Sequence, residues 1–142
     1  MTLKDIASVS GKGGLFRILG TSRSGFILES LDDQKARSVT PVSAKVSVLE
    51  EISIYTTTAE GTVSLLHVLK EVRKTFSDQL PVHPESTPDQ LREFLTGILP
   101  EHDQQRVYTS DIKKLVRWYG ILAARAPEIF DAPSSTDQEN QD

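Results

Sequence analysis

The chain has 142 residues, 37% of them hydrophobic, a net charge of -4 and no cysteine. That length suits one ordinary domain or two very small ones, and without cysteine there is no disulfide framework, thiolate metal site or cysteine nucleophile. Charge is distributed as +1 over residues 1–58, -2 over 59–131 and -3 over 132–142, so no segment attracts phosphate backbones by bulk charge alone.

In chain order, a short helical turn is expected at residues 3–7, followed by the glycine-rich stretch Val9-Ser10-Gly11-Lys12-Gly13-Gly14-Leu15. This stretch reproduces the first half of a deviant phosphate-binding loop, SGKGGxGK[ST], but has Phe16-Arg17-Ile18 where the second Gly-Lys-Ser/Thr should stand. Strand formers follow it at residues 15–19, whereas a phosphate loop needs a helix N-terminus there. The stretch therefore reads as a structural glycine turn, with Lys12 exposed at its tip to meet an anionic partner.

A second strand-like run at residues 26–31 pairs with the first across the polar loop 20–25, and residues 36–40 return as a third strand before Pro41. Val46 and Val48 alternate with polar residues, as do Ile52 and Ile54, giving two more strands. Five short strands in about fifty residues predict a small SH3-like β-barrel, or else a curled antiparallel sheet covered by helices.

From Gly61 onward the spacing becomes helical, with Leu65, Leu69, Val72 and Phe76 on one stripe. Thr87-Pro88-Asp89-Gln90 predicts a capping box with proline in the first turn, opening a helix whose buried face is Leu91, Phe94, Leu95 and Ile98 and which Pro100 ends. A third helix, capped by Thr109 or Ser110, carries Ile112, Leu115, Val116, Tyr119 and Leu122 inward until Pro127, and residues 128–130 add an apolar turn. The organisation expected is α+β: a β-barrel domain at 1–58, a helical domain at 59–131 and a disordered acidic tail at 132–142.

The second candidate site is basic and aromatic. Arg106 and Tyr108 precede the third helix, and Lys113, Lys114, Arg117 and Trp118 lie on it, a mixture that can bind nucleic acid through phosphate contacts and stacking. Basic residues on an amphipathic helix are more often solvated and a lone Trp beside an apolar stripe more often fills the core, which is the favoured reading. His67, His83 and His102 lie in different segments with no ligand spacing, and Asp32-Asp33 and Glu50-Glu51 are neighbours that a strand points apart. No catalytic, metal or cofactor residue is assigned.

The sequence resembles a family of small bacterial proteins classed as a domain of unknown function. The blocks that carry this are Ser10-Gly11-Lys12-Gly13-Gly14-Leu15-Phe16, Gly25-Phe26-Ile27-Leu28-Glu29-Ser30-Leu31-Asp32, Ile52-Ser53-Ile54-Tyr55-Thr56, and Arg106-Val107-Tyr108 with Ser110-Asp111-Ile112-Lys113-Lys114 and Trp118-Tyr119. The resemblance implies no activity, cofactor or substrate.

The function expected is that of a non-enzymatic binding or adaptor protein. Two rivals are an RNA- or ribosome-associated factor using the basic-aromatic helix face, and a nucleotide-responsive protein using the glycine turn. A protein partner is expected first and RNA second. An exposed sheet edge or an uncovered Trp118-Tyr119 surface would favour a homodimer. No apolar leader follows Met1 and no run approaches a membrane span, so the protein is expected in the cytoplasm, away from membranes.

Overall fold

The computed structural model describes residues 1–41 and 43–131. The expected acidic tail, 132–142, lies outside the described residues. The described residues are α+β, a five-stranded antiparallel sheet and a two-stranded hairpin followed by three α-helices.

A 3-10 turn at Leu3–Asp5 leads directly into β1, Ile6–Val9. The expected helical turn thus stops at Asp5, and a strand rather than a helix enters the glycine stretch. β2 runs Phe16–Ser22 and β3 Gly25–Ser30, joined by the two-residue turn Arg23-Ser24. The polar loop expected over residues 20–25 is shorter than its composition suggested. A bulge between Ile18 and Gly20 absorbs Leu19, after which Gly20, Thr21 and Ser22 pair with Ile27, Phe26 and Gly25. β4, Arg37–Pro41, pairs with β3 and occupies an edge, where the missing N–H of Pro41 costs no ladder bond. β5, Val46–Val48, pairs with β1.

The strand order is β4-β3-β2-β1-β5, an open sheet rather than the closed barrel, since no ladder joins β4 to β5 among the described residues. The register nevertheless requires strong coiling. Pro41 stands level with Gly25 and Ser22, and Val46 with Val9, which lies eight residues away along β2 near Gly14. In a flat sheet these two positions would be about 30 Å apart, yet five residue steps reach at most ~18 Å. The sheet therefore rolls until its edges approach without bonding.

The pair Ile52 and Ile54 was expected to supply a further strand of the same sheet. Instead, β6, Ser53–Tyr55, forms its own hairpin with β7, Thr62–Ser64. Residues 62–64, expected to be helical, are strand because Ser53, Ile54 and Tyr55 pair with Ser64, Val63 and Thr62 before the helix starts.

α1, Leu65–Phe76, opens with Ser64 Oγ accepting from His67 N at 3.1 Å. It ends at Ser77, whose φ of 56 turns the chain out and whose carbonyl accepts from the Tyr119 hydroxyl. α2, Pro88–Ile98, has the expected reciprocal cap: Gln90 N donates to Thr87 Oγ1 at 3.2 Å and Thr87 N to Gln90 Oε1 at 3.0 Å. α3, Thr109–Arg125, is capped by Tyr108 rather than by Thr109 or Ser110. Tyr108 N donates to Asp111 Oδ2 at 2.9 Å, so the acidic residue in the first turn supplies the capping oxygen. A closing 3-10 turn, Pro127–Asp131, buries Ile129 and Phe130.

The stripe predicted for α3 is buried in full: Ile112, Leu115, Val116, Tyr119 and Leu122. It meets Leu65, Val68, Leu69 and Val72 of α1 and Leu91, Phe94 and Leu95 of α2 in one core, which also takes in Leu3, Ile6, Leu15 and Leu49 from the sheet side. Each fully buried leucine contributes about 1.5–3 kcal/mol of transfer free energy, so the helices and the sheet are held by the same apolar interior. The change of residue period near 60 falls inside the β6–β7 connection, and this core spans both sides of it.

Candidate functional site

The two segments singled out in the sequence line a single cleft of about 530 Å³. One wall is the glycine turn, residues 10–14, together with Lys45. The other is the start of α3 with the loop before it. Ile52, Ile54, Leu65, Val107 and Leu115 form an apolar floor between them.

Local structure explains each position. Strand β1 ends at Val9, and Lys12 N donates back to Val9 O at 3.0 Å, making a tight turn with Gly11 at φ 85 and Gly14 at φ 80. Ser10 N donates to Lys45 O at 2.9 Å, extending the β1–β5 register and setting Lys45 beside the turn. The opposite wall is anchored to the β6–β7 hairpin. Asp103 N donates to Tyr55 O at 2.9 Å, Thr57 N to Glu101 O at 2.8 Å, and Thr56 bridges His102. His102 is buried and its Nδ1 meets Leu99 O at 2.7 Å, so this histidine fixes the loop from inside. Arg92 Nη1 donates to Val107 O at 2.8 Å, holding the residue next to Arg106.

Arg106 accordingly lies over the Tyr55 ring, 5.2 Å from its centroid, with Asp103 at 4.0 Å. On α3, Lys114 and Trp118 are one turn apart and Arg117 stands between them at the cleft. Among the described residues, five cationic side chains line the cleft, Lys12, Lys45, Arg106, Lys114 and Arg117, against one carboxylate, Asp111. Asp111 is already engaged as the cap of α3. Among the described residues no ion pair engages Lys12, Lys45, Lys114 or Arg117.

Of the residues proposed from sequence, Lys12, Arg106, Lys114, Arg117 and Trp118 therefore come together. Lys113 points to solvent outside the cleft, and Tyr108 is 64% exposed at the cap of α3. On α3 the cleft is lined by Lys114, Arg117 and Trp118. Lys45 and Tyr55 were not anticipated. Lys45 is an isolated loop cation whose placement depends on the β1–β5 pairing, while Tyr55 sits within a recognised block as an exposed aromatic at the end of a strand, the one signal that pointed to it.

The lining holds hydroxyls on Ser8, Ser10, Ser47 and Ser53 but no histidine, and its one carboxylate is committed to the backbone. The cationic side chains of this surface can hold an anion. The glycine turn is a β-hairpin connection between β1 and β2, with no helix N-terminus after it. Among the described residues no cluster of three His, Asp or Glu could hold a metal ion, and no helix is long and apolar enough to cross a membrane.

Two family models match successive parts of the chain. A domain of unknown function, DUF5606, matches residues 3–49, and a second, DUF6852, matches residues 52–122. No curated protein matches this sequence. A solution NMR structure from Bacteroides vulgatus, a structural genomics target, is similar at 32% identity, covering 89% of both chains with a TM-score of 0.73. The second model spans half of the 142 residues, and the chain belongs to the DUF6852 family, with the DUF5606 segment ahead of it.

Proposed function

We propose that this is a non-enzymatic binding protein that holds an anionic group of its partner in the cleft between the glycine turn and α3. The observation that carries the reading is the convergence of Lys12, Lys45, Lys114 and Arg117, none in an ion pair among the described residues, on one concave surface with an apolar floor. Exposed cations on a convex surface are simply solvated. Cations facing each other across a groove repel unless a ligand neutralises them, and low-dielectric walls focus their field. The volume of about 530 Å³ lies within the ~300–1,000 Å³ of small-ligand sites.

Calorimetric titration with inorganic triphosphate at low and raised salt tests this. Binding is expected, weakening with salt. Lys114→Ala together with Arg117→Ala removes two charge-assisted contacts of about 1.5 kcal/mol each, so the affinity should fall on the order of 100-fold. Both side chains are exposed and in no ion pair among the described residues, so the fold should persist. Absence of any heat at low salt, with the fold intact by circular dichroism, refutes the reading.

A further inference from the structure

We infer that the ligand of this cleft is a free nucleotide, with its phosphates held between Lys12 and Lys45 on one wall and Lys114 and Arg117 on the other, and its base against Trp118. This rests on the anion-binding reading above and adds three observations to it.

The first is charge. The lining residues sum to +4, while residues 1–131 sum to -1, so the described residues outside the cleft hold -5. A partner that extended beyond the cleft as a polyanionic strand would meet a repulsive surface, whereas a compact polyanion sees only the focused positive field. A single carboxylate offers one negative charge, too little for four unpaired cations; a phosphate monoester offers about 1.5 to 2, and a triphosphate more.

The second is the chemistry beside the charges. Ile52, Ile54 and Leu115 make an apolar floor, and Trp118 contributes to the lining with part of its surface uncovered. The ligand must therefore present a flat apolar body next to its anionic end. An acidic peptide does not; a purine or pyrimidine joined to phosphate does, and indole is a strong stacking surface for a base. The Tyr55 ring carries the Arg106 guanidinium on one face, and Trp118, partly buried against the core, offers the indole surface beside Lys114 and Arg117.

The third is the glycine turn itself. Nothing lies within 4 Å of where a Cβ would stand at Gly11, Gly13 or Gly14, and the N–H groups of Gly13 and Gly14 have no intramolecular acceptor among the described residues. Phosphate oxygens can thus approach the backbone directly, as they do in other turns of successive N–H groups. This differs from a Walker loop, because the second half of the site comes from α3 across the cleft, not from a helix following the glycines.

Trp118 is the only tryptophan of the chain, so its fluorescence reports on its own site. The experiment titrates the full chain with ATP, GTP, inorganic triphosphate, a short single-stranded RNA and a poly-glutamate peptide, following fluorescence and heat together. ATP or GTP should change the Trp118 emission and bind about tenfold tighter than triphosphate, the increment due to stacking. Trp118→Leu should bring ATP down to the triphosphate affinity without weakening triphosphate, which also shows that the variant remains folded. Nucleotides binding no tighter than triphosphate, or RNA or poly-glutamate binding where nucleotides do not, overturns the nucleotide inference and leaves the anion-binding reading standing. Silence from every probe at low salt overturns both.

Discussion

Gly25 closes the β2–β3 turn at φ 140, with the carbonyl of Thr40 pressed against its α-carbon. A Cβ at this position would stand 1.7 Å from Thr40 O, 2.9 Å from Thr40 C and 3.1 Å from Pro41 C. These are backbone atoms of the paired strand, so no side chain can swing away. Gly25→Ala must push β4 off by about 1.5 Å, breaking the ladder where Gly25 faces Pro41 and Phe26 faces Thr40. A non-glycine residue at such a φ costs about 1–3 kcal/mol, and each lost hydrogen bond about 1 kcal/mol, for a sum of about 3–5 kcal/mol. For a domain of this size that corresponds to a fall in Tm of roughly 10–20 °C by differential scanning calorimetry. Gly97→Ala is the matched control. Gly97 is exposed within α2 with nothing within 4 Å of the added methyl, and alanine should raise Tm by a few degrees through helix propensity of about 1 kcal/mol. A Gly25→Ala protein melting within ~2 °C of the parent would show that the strand yields freely and that the steric argument is mistaken.

Three further outcomes follow from local geometry. Ser77→Gly should stabilise the protein by about 1 kcal/mol, because serine at φ 56 and ψ -120 occupies glycine territory; a lowered Tm refutes this. Thr87→Ala should destabilise by about 1 kcal/mol, by removing the acceptor for Gln90 N, as read by urea denaturation with unchanged m. Asp32 accepts from Ser30 Oγ at 2.8 Å and from the N–H groups of Gln34 and Lys35. The Ser30 bond, foremost, holds its carboxyl below the ordinary aspartate value. A depressed folded value means that the contribution is present above the unfolded pKa of about 3.9 and is lost as pH falls through the folded one. The Lys35 amide shift in an NMR titration should therefore turn over below about pH 3.9, and a midpoint at or above that refutes the assignment.

The elements most legible in the sequence were those with local causes. The α2 start depends on Thr87, Pro88 and Gln90 lying within four residues of each other, and the α3 stripe on a period that five buried side chains obey. Strands β1 and β7 escaped notice because Ile6–Val9 does not alternate and Thr62–Ser64 has one apolar residue, Val63, whereas alternating pairs marked β5 and β6; they exist through partners at residues 16–17, 46–48 and 53–55. Of the two forms expected, a closed barrel and a curled antiparallel sheet, the structure has the open sheet; the sequence left them undecided because whether two edges bond depends on the accumulated register of every intervening pair. Both halves of the candidate site were recognised, each discounted by itself, because a glycine turn and a solvated helix face are ordinary features singly. What the sequence could not display is that Tyr55 O and Asp103 N, far apart in the chain, swing one against the other.

The cleft straddles the junction between the two matched segments. Lys12 and Lys45 belong to the DUF5606 portion, while Arg106, Lys114, Arg117 and Trp118 belong to the DUF6852 portion. Neither portion owns a complete site, so a chain severed between residues 49 and 52 would yield two pieces with no more than half a grip each. A ligand seated there would act as a clamp across the seam. At a free concentration a hundredfold above its Kd it would oppose any opening of one portion from the other by about 2.7 kcal/mol, making the cohesion of the protein itself a gauge of occupancy.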